Sequence, residues 1–233
     1  VVRSADEFRR FREEHSAVLD ERYRREQALG SKDKLIRLRG VCAPCLQPTA
    51  FTSSTEHGEA LPDGRVVPVW RNQQVCRCAL RLNSRQRALL HLLLPRLGAP
   101  DWFQVAALGQ RDELVDALGT WVHSLHVWPR LVPQNGAFVH MVFCSDQLHR
   151  LAALDKTLGQ VARALCPGGV FAFTAPMDIE RETTRANGSG HEIGWDITDR
   201  VRAAGFEDCA IHCLWSEEFG YLGTFNFVFE AFR

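Results

Sequence analysis

From residue 101 onward, short apolar runs alternate with amphipathic ones, and no other feature of the sequence limits the fold as much. "WFQVAAL", "FVHMVFC" and "VFAFTAP" have the length and bounding turn formers of buried strands. Between and after them, "DELVDALGTWV", "ALDKTLGQVARAL" and "WDITDRVRAAG" space their apolar residues as one face of a helix. Apolar strands separated by helices predict a mainly parallel sheet covered on both faces. "CPGG" reads as a tight turn before the third strand. "DCAIHCLW" and "FNFVFEAF" are joined by a short connection, which predicts an antiparallel edge at the C-terminal end.

Upstream the pattern differs. Ser4 and Glu7 fit a capping box for a helix over 4–29, with Phe8, Phe11, Val18, Leu19 and Tyr23 as its apolar stripe and a charged, solvated opposite face. Residues 41–80 hold short apolar runs between turn formers, as in hairpins without a large core of their own. "LNSRQRALLHLLLPRL" reads as an amphipathic helix ended by Pro95 and Gly98. The expected division is 1–40, a helical segment; 41–80, a cysteine-rich module; and 81–233, an α/β domain.

Eight cysteines make their grouping informative. Cys42 and Cys45 stand as C-x-x-C, and Cys76 and Cys78 as C-x-C. Four thiolates on two knuckles can surround one Zn²⁺, and a hairpin segment of this size needs such a staple. A disulfide or incidental thiols is the alternative. Cys144, near a strand end, is a candidate functional thiol; Cys166, Cys209 and Cys213 read as small core residues.

Composition excludes several function classes. Hydrophobic residues are 45%, charged residues 24% and the formal net charge zero, so no global field draws the chain to nucleic acid or to an anionic membrane. "ALLHLLL" and "GVFAFTA" are far shorter than the ~20 residues of a membrane span. "VVRSADEFRRFREEH" lacks the apolar core of a signal peptide, so a reducing, cytoplasmic setting is expected. No G-x-S-x-G elbow, H-E-x-x-H helix or phosphate loop is present.

"VWRNQQVCRCALRLNSRQRALL", "LCPGGVFAFTAPMD" and "GWDITDRVRAAGF", with the C-x-x-C knuckle, resemble a bacterial subgroup of class I S-adenosylmethionine-dependent methyltransferases. The resemblance covers nearly the whole chain. It implies a Rossmann-like methyltransferase fold, preceded by a helix and a small zinc-ribbon-like module. In that family the first strand leads into an acidic and glycine-rich E-x-G-x-G-x-G turn that lets backbone approach the cofactor. Laid over it, "QVAALGQ" puts Gln104 at the carboxylate, Ala106 and Leu108 at glycines and Gln110 at the last one, leaving only Gly109. Leu108 would then crowd the cofactor. The acid expected at the end of the second strand is missing from "WVHSLHVWP", where Leu125 or His126 stands. The loop "MDIERETTRANGSGHEIGWD" is shorter than the family's. The resemblance thus implies a cofactor-binding set of Gln104, Ala106, Leu108, Gly109 and Leu125 that has degenerated.

The same region is rich in ligand-type side chains: His123, His126, His140, Cys144, Asp146 and His149. If they converge, His126, His140, Asp146 and His149 are the acid, base or ligand candidates, and another metal, a haem or a polar small molecule could replace the old cofactor. The alternative is that they are separate core and surface residues. Three functions stand open: a catalyst or ligand carrier repurposed for a small molecule of specialised metabolism; a non-catalytic partner of a paralogous methyltransferase or of a second copy; and a methyltransferase with an altered cofactor grip.

Overall fold

Two helices open the chain, α1 (Ala5–Glu14) and α2 (Ser16–Ala28). Ser4 Oγ accepts the Glu7 N–H at 3.2 Å, as the capping pattern requires. The single helix expected over 4–29 is broken at His15, which closes α1 and opens α2. The apolar stripe fails with it. Phe8 is buried, whereas Val18 and Tyr23 are 49% and 52% exposed, and the one buried side chain of α2 is Glu26.

Next come β1 (Leu35–Cys42), β2 (Gln47–Ser54), β3 (Glu59–Ala60), β4 (Val66–Val67), α3 (Trp70–Gln73), β5 (Val75–Cys76) and α4 (Ser84–Leu97). β1, β2 and β5 form a small antiparallel sheet, with β1 paired to β2 from Leu35↔Ser54 to Cys42↔Gln47. β1 runs through residue 40, so the cysteine-bearing sheet begins ahead of the boundary read there. α4 continues through Pro95; in the last turn a missing N–H forfeits a single ladder bond. Gly98 lies outside the described residues, which are 1–97, 103–129, 132–133, 136–188 and 190–233 of this computed structural model, with backbone only at 224.

The larger sheet is built from β6 (Gln104–Leu108), β7 (Ser124–Trp128), β8 (Val139–Ser145), β9 (Leu165–Thr174), β12 (Asp208–Ser216) and β13 (Tyr221–Phe232). Its connections carry α5 (Glu113–Leu118), α6 (Leu154–Ala164), the hairpin β10 (Arg185–Asn187) with β11 (Gly190–Glu192), and α7 (Ile197–Ala203). The spatial order is β12-β13-β9-β8-β6-β7. β7, β6, β8 and β9 are mutually parallel, and β13 is antiparallel to both β9 and β12. The two closing strands thus form the antiparallel edge that the sequence suggested, with β12 outermost and β13 between it and β9. "CPGG" falls within the span of β9 as a bulge: Val139 and Met141 of β8 pair with Leu165 and Val170, so 166–169 lie outside the register, with Gly168 at φ +73°.

The period of two along β6 divides the core. Ala106 and Leu108 join a buried cluster with Val142, Phe171, Val161 of α6, Val201 of α7 and Phe8 of α1. Val105 and Ala107 join one with Met141, Leu90 of α4, Leu114 of α5, and Cys42, Phe51 and Cys76 of the small sheet. The cysteine-bearing sheet shares this core with the larger sheet. Among the described residues no helix is long and apolar enough to cross a membrane.

Candidate functional site

The chain passes from β6 outward to β7 and then returns to set β8 on the other side of β6. That reversal is the switch point at which open α/β sheets leave a ligand crevice beyond the strands' carboxyl ends. β6 ends where Leu108 pairs with Trp128, and the Gly109 N–H donates to the Trp128 carbonyl at 2.9 Å. Gly109 has φ +122°, a conformation that favours glycine. A methyl group there would lie 2.5 Å from Gln147 Cγ and 2.9 Å from its Cβ. The aliphatic stem of Gln147 thus rests on the turn that a cofactor would have to approach. The crevice between Ala107, Gln110, Asp112, Ser145 and Gln147 has no room for even a water-sized molecule, against the ~300–1,000 Å³ of small-molecule sites. Asp112 caps α5, accepting the Val115 N–H at 3.0 Å and the Gln86 amide at 3.1 Å. Burial raises its pKa against those two bonds.

Several residues read as cofactor-binding stand elsewhere. Gln104 begins β6 instead of ending it, paired with Ser124 at the start of β7. Its Oε1 accepts Ser124 Oγ at 2.6 Å and lies 2.9 Å from His126 Nε2. Leu125 pairs with Val105 near that same edge, and Ala106 is buried at mid-strand. Leu108 is 2% exposed and belongs to the core cluster of Trp128 and Cys144. The bulk over the turn is Gln147. The residue that ends β7 is Trp128, also buried, so no carboxylate stands there either.

The four candidate acid–base residues do not converge. His140, second in β8, has its Nδ1 3.0 Å from the Gln104 N–H, which donates to it, and stacks on Phe103 at 5.1 Å. With His126 it belongs to the amino edge of the sheet. Asp146 and His149 lie beyond the carboxyl end of β8, about 20 Å from His140 at the strand rise of ~3.3 Å per residue. His123 is exposed ahead of β7. Cys144 is fully buried, and burial pushes its thiol up to about 12, which leaves it inert.

Asp146 is clamped. Arg71 of α3 donates to both its oxygens, at 2.7 and 2.6 Å, and Arg85 Nε stands 3.2 Å from Oδ2. Its N–H reaches Thr174 Oγ1 at 3.1 Å, and its φ is +49°. Burial raises its pKa, but Arg71 and Arg85 outweigh that and hold the carboxyl below its ordinary value. His149 Nδ1 is buried without a partner, and burial lowers its pKa. Asp146 therefore anchors α3 and α4 across the crevice.

The cysteine knuckles do converge. The sulfurs of Cys42, Cys45 and Cys78 all lie within 4.8 Å of one another, and Cys76 Sγ is 2.9 Å from Cys78 Sγ. A tetrahedral Zn²⁺ at ~2.3 Å from each thiolate needs sulfurs about 3.8 Å apart; Cys42 and Cys78 are at 3.6 Å. No cysteine of the four is in a disulfide. Without a cation the group resists ionisation: the Cys42 thiol and burial push Cys76 up, and burial pushes Cys45 up. The donor set fits a metal.

Beside it Arg87 of α4 is fully buried. It donates to the carbonyls of Gln74, Leu82, Phe219 and Gly220, and to no carboxylate among the described residues. Its guanidinium lies 4.3 Å from the Phe51 ring centroid. Gly220, at φ +61°, lets the turn before β13 come this close, since a side chain there would strike Phe51 at 2.7 Å. Burial lowers the Arg87 pKa, and the acidic groups that act against it are the Cys76 thiol, the Tyr221 hydroxyl and the thiols of Cys42 and Cys78.

Gln147, Arg71, Arg85 and Arg87 escaped the reading of the sequence. Arg87, three residues before Leu90 on the apolar side of α4, carried the one usable signal.

No family model matches the chain, and no curated protein matches it. Among solved structures it is similar to the Burkholderia thailandensis 1,6-didemethyltoxoflavin-N1-methyltransferase with bound 1,6-didemethyltoxoflavin and S-adenosylhomocysteine, at 16% identity and a TM-score of 0.48, over 64% of this chain and 78% of that one. A chain from the complex between the Haloferax volcanii Trm112 methyltransferase activator and its candidate methyltransferase is 15% identical, with a TM-score of 0.43, over 64% and 89%. An S-adenosylmethionine dependent methyltransferase from Mesorhizobium loti is 14% identical, with a TM-score of 0.40, over 62% and 98%. The fold of this chain stands on its own strand order and two-faced core.

Proposed function

We propose that this chain is a methyltransferase-like scaffold, stapled by a structural zinc, whose adenosyl crevice is closed and which serves a small molecule by another route than ordinary methyl transfer. The observation that carries this reading is the Gln147 stem over Gly109, where a cofactor needs bare backbone. The filled crevice and the absence of an acid at the end of β7 support it. Cys42, Cys45, Cys76 and Cys78 would hold the zinc, which supplies no open position for chemistry when four thiolates fill it.

The cofactor half is tested by calorimetry of the purified chain with S-adenosylmethionine. No saturable binding is expected at micromolar concentrations; a micromolar Kd restores the ordinary methyltransferase reading. The metal half is tested by elemental analysis, with one zinc per chain expected. A metal-free, stably folded protein with four reduced cysteines would remove the staple.

A further inference from the structure

α2 is polar on nearly every side, and the one residue it buries is a carboxylate, Glu26 (5% exposed). Its Oε1 accepts Trp215 Nε1 at 2.6 Å and the Gly223 N–H at 2.9 Å. Oε2 has no hydrogen-bond partner among the described residues, and Glu26 forms no ion pair. A buried carboxylate in this state is either neutral or short of a cation. Burial raises its pKa against the bonds from Trp215 and Gly223.

Glu26 also lines two adjoining cavities, of about 220 and 280 Å³, that share Tyr23, Gly223 and Phe225. Each lies just below the ~300 Å³ at which small-molecule sites begin, and the two adjoin. Trp215 and Ile179 extend the apolar wall of one; Trp70, whose buried Nε1 has no partner, lines the other. Of the basic groups around the cavities, Arg12 pairs with Glu180 at 3.4 Å and Arg71 with Asp146; Arg22 lies 4.9 Å from the Trp215 ring centroid, and its charge acts on Glu26 without forming an ion pair. Asp20 and Glu59 add negative charge to the rim. Aromatic walls around an unpaired carboxylate are suited to an organic cation, through a charge-assisted hydrogen bond and cation–π contact.

We infer that the cavity between α2 and the β12–β13 hairpin is a binding site for a small amine with a flat apolar body, its ammonium group donating to Glu26. The site is separate from the closed crevice over Gly109. S-adenosylmethionine binding in that crevice would overturn the reading above and leave this one standing.

The test uses the whole, metal-replete chain with tryptamine as the probe and indole-3-acetate as its anionic counterpart. Calorimetry is expected to show saturable tryptamine binding, about tenfold or more tighter than indole-3-acetate. Glu26→Gln keeps an oxygen for Trp215 and Gly223 while removing the charge, and should weaken tryptamine about tenfold with indole-3-acetate no worse. Tyr23→Ala, at an exposed position that the fold does not need, should weaken tryptamine roughly threefold. If Glu26→Gln fails to fold by circular dichroism, Tyr23→Ala and the preference between the probes decide. Equal affinity for the two probes, or unchanged tryptamine binding in Tyr23→Ala, overturns the inference.

Discussion

Two of the buried charge networks that fasten the N-terminal strands and helices to the large sheet are neutralised in opposite ways. At Asp146 an anion is enclosed by two cations, Arg71 and Arg85, with the ion pairs complete within the protein. At Arg87 a cation is enclosed by carbonyls, an aromatic ring and thiols, with no carboxylate. A buried charge requires a counter-charge. The first network therefore needs nothing from outside, whereas the second is balanced only if the neighbouring cysteines are ionised, as a bound metal would make them. One crossing is a lock, and the other is a lock that has to be loaded.

Emptying the second network should have the largest effect. Chelation, or Cys42→Ser, is expected to lower the Tm by roughly 10 °C or more, because the cysteine sheet shares its core with β6, β8 and α4; a scan of thermal unfolding with and without chelator reads this. Arg87→Met comes next, at about 3–5 kcal/mol in denaturant titration, since a tetrathiolate metal centre would lose its buried cation. A neutral outcome for Arg87→Met would mean that the thiols carry no charge and would erase the contrast between the two networks.

Asp146→Asn leaves Arg71 and Arg85 facing each other and is expected to cost about 2–3 kcal/mol, less than Arg87→Met because the group is partly reached by solvent. The sign of its pH dependence follows from a folded pKa below the ordinary 3.8. The stabilisation is full above that value and is lost as pH falls through the lower, folded pKa. Acid titration of unfolding should therefore show a destabilisation that Asp146→Asn lacks. The smallest effect belongs to Gln147→Ala, expected within about 0.5 kcal/mol of the parent. It clears space above Gly109, and any S-adenosylmethionine affinity it creates measures how much of the closure is that one side chain.

Much of the architecture was legible because strands such as "FVHMVFC" and "VFAFTAP" are mostly apolar and separated by amphipathic helices. The convergence of the cysteines was legible from spacing alone. What failed was register. β6 begins at Gln104 because its side chain ties to Ser124 and His126, a tertiary arrangement that an apolar run does not reveal, so the cofactor motif was laid one strand-length too early. The histidines were grouped by sequence proximity, but a strand the length of β8 carries His140 and Asp146 to opposite ends of the sheet. Glu26 was invisible in a helix with six charged residues among its thirteen. Its burial comes from Trp215 and Gly223, about two hundred residues on.

The placement of β13 between β9 and β12 has a consequence for how the molecule is made. As the chain emerges from the ribosome, β9 has no partner on that flank, and β12 has none at all within the sheet, until residues 221–232 arrive. The central sheet therefore closes late, by insertion of a strand into a gap, and its long-range pairings make that step slow. Until then the open flanks of β9 and β12 are the surfaces on which a nascent chain of this sequence would stick to its neighbours.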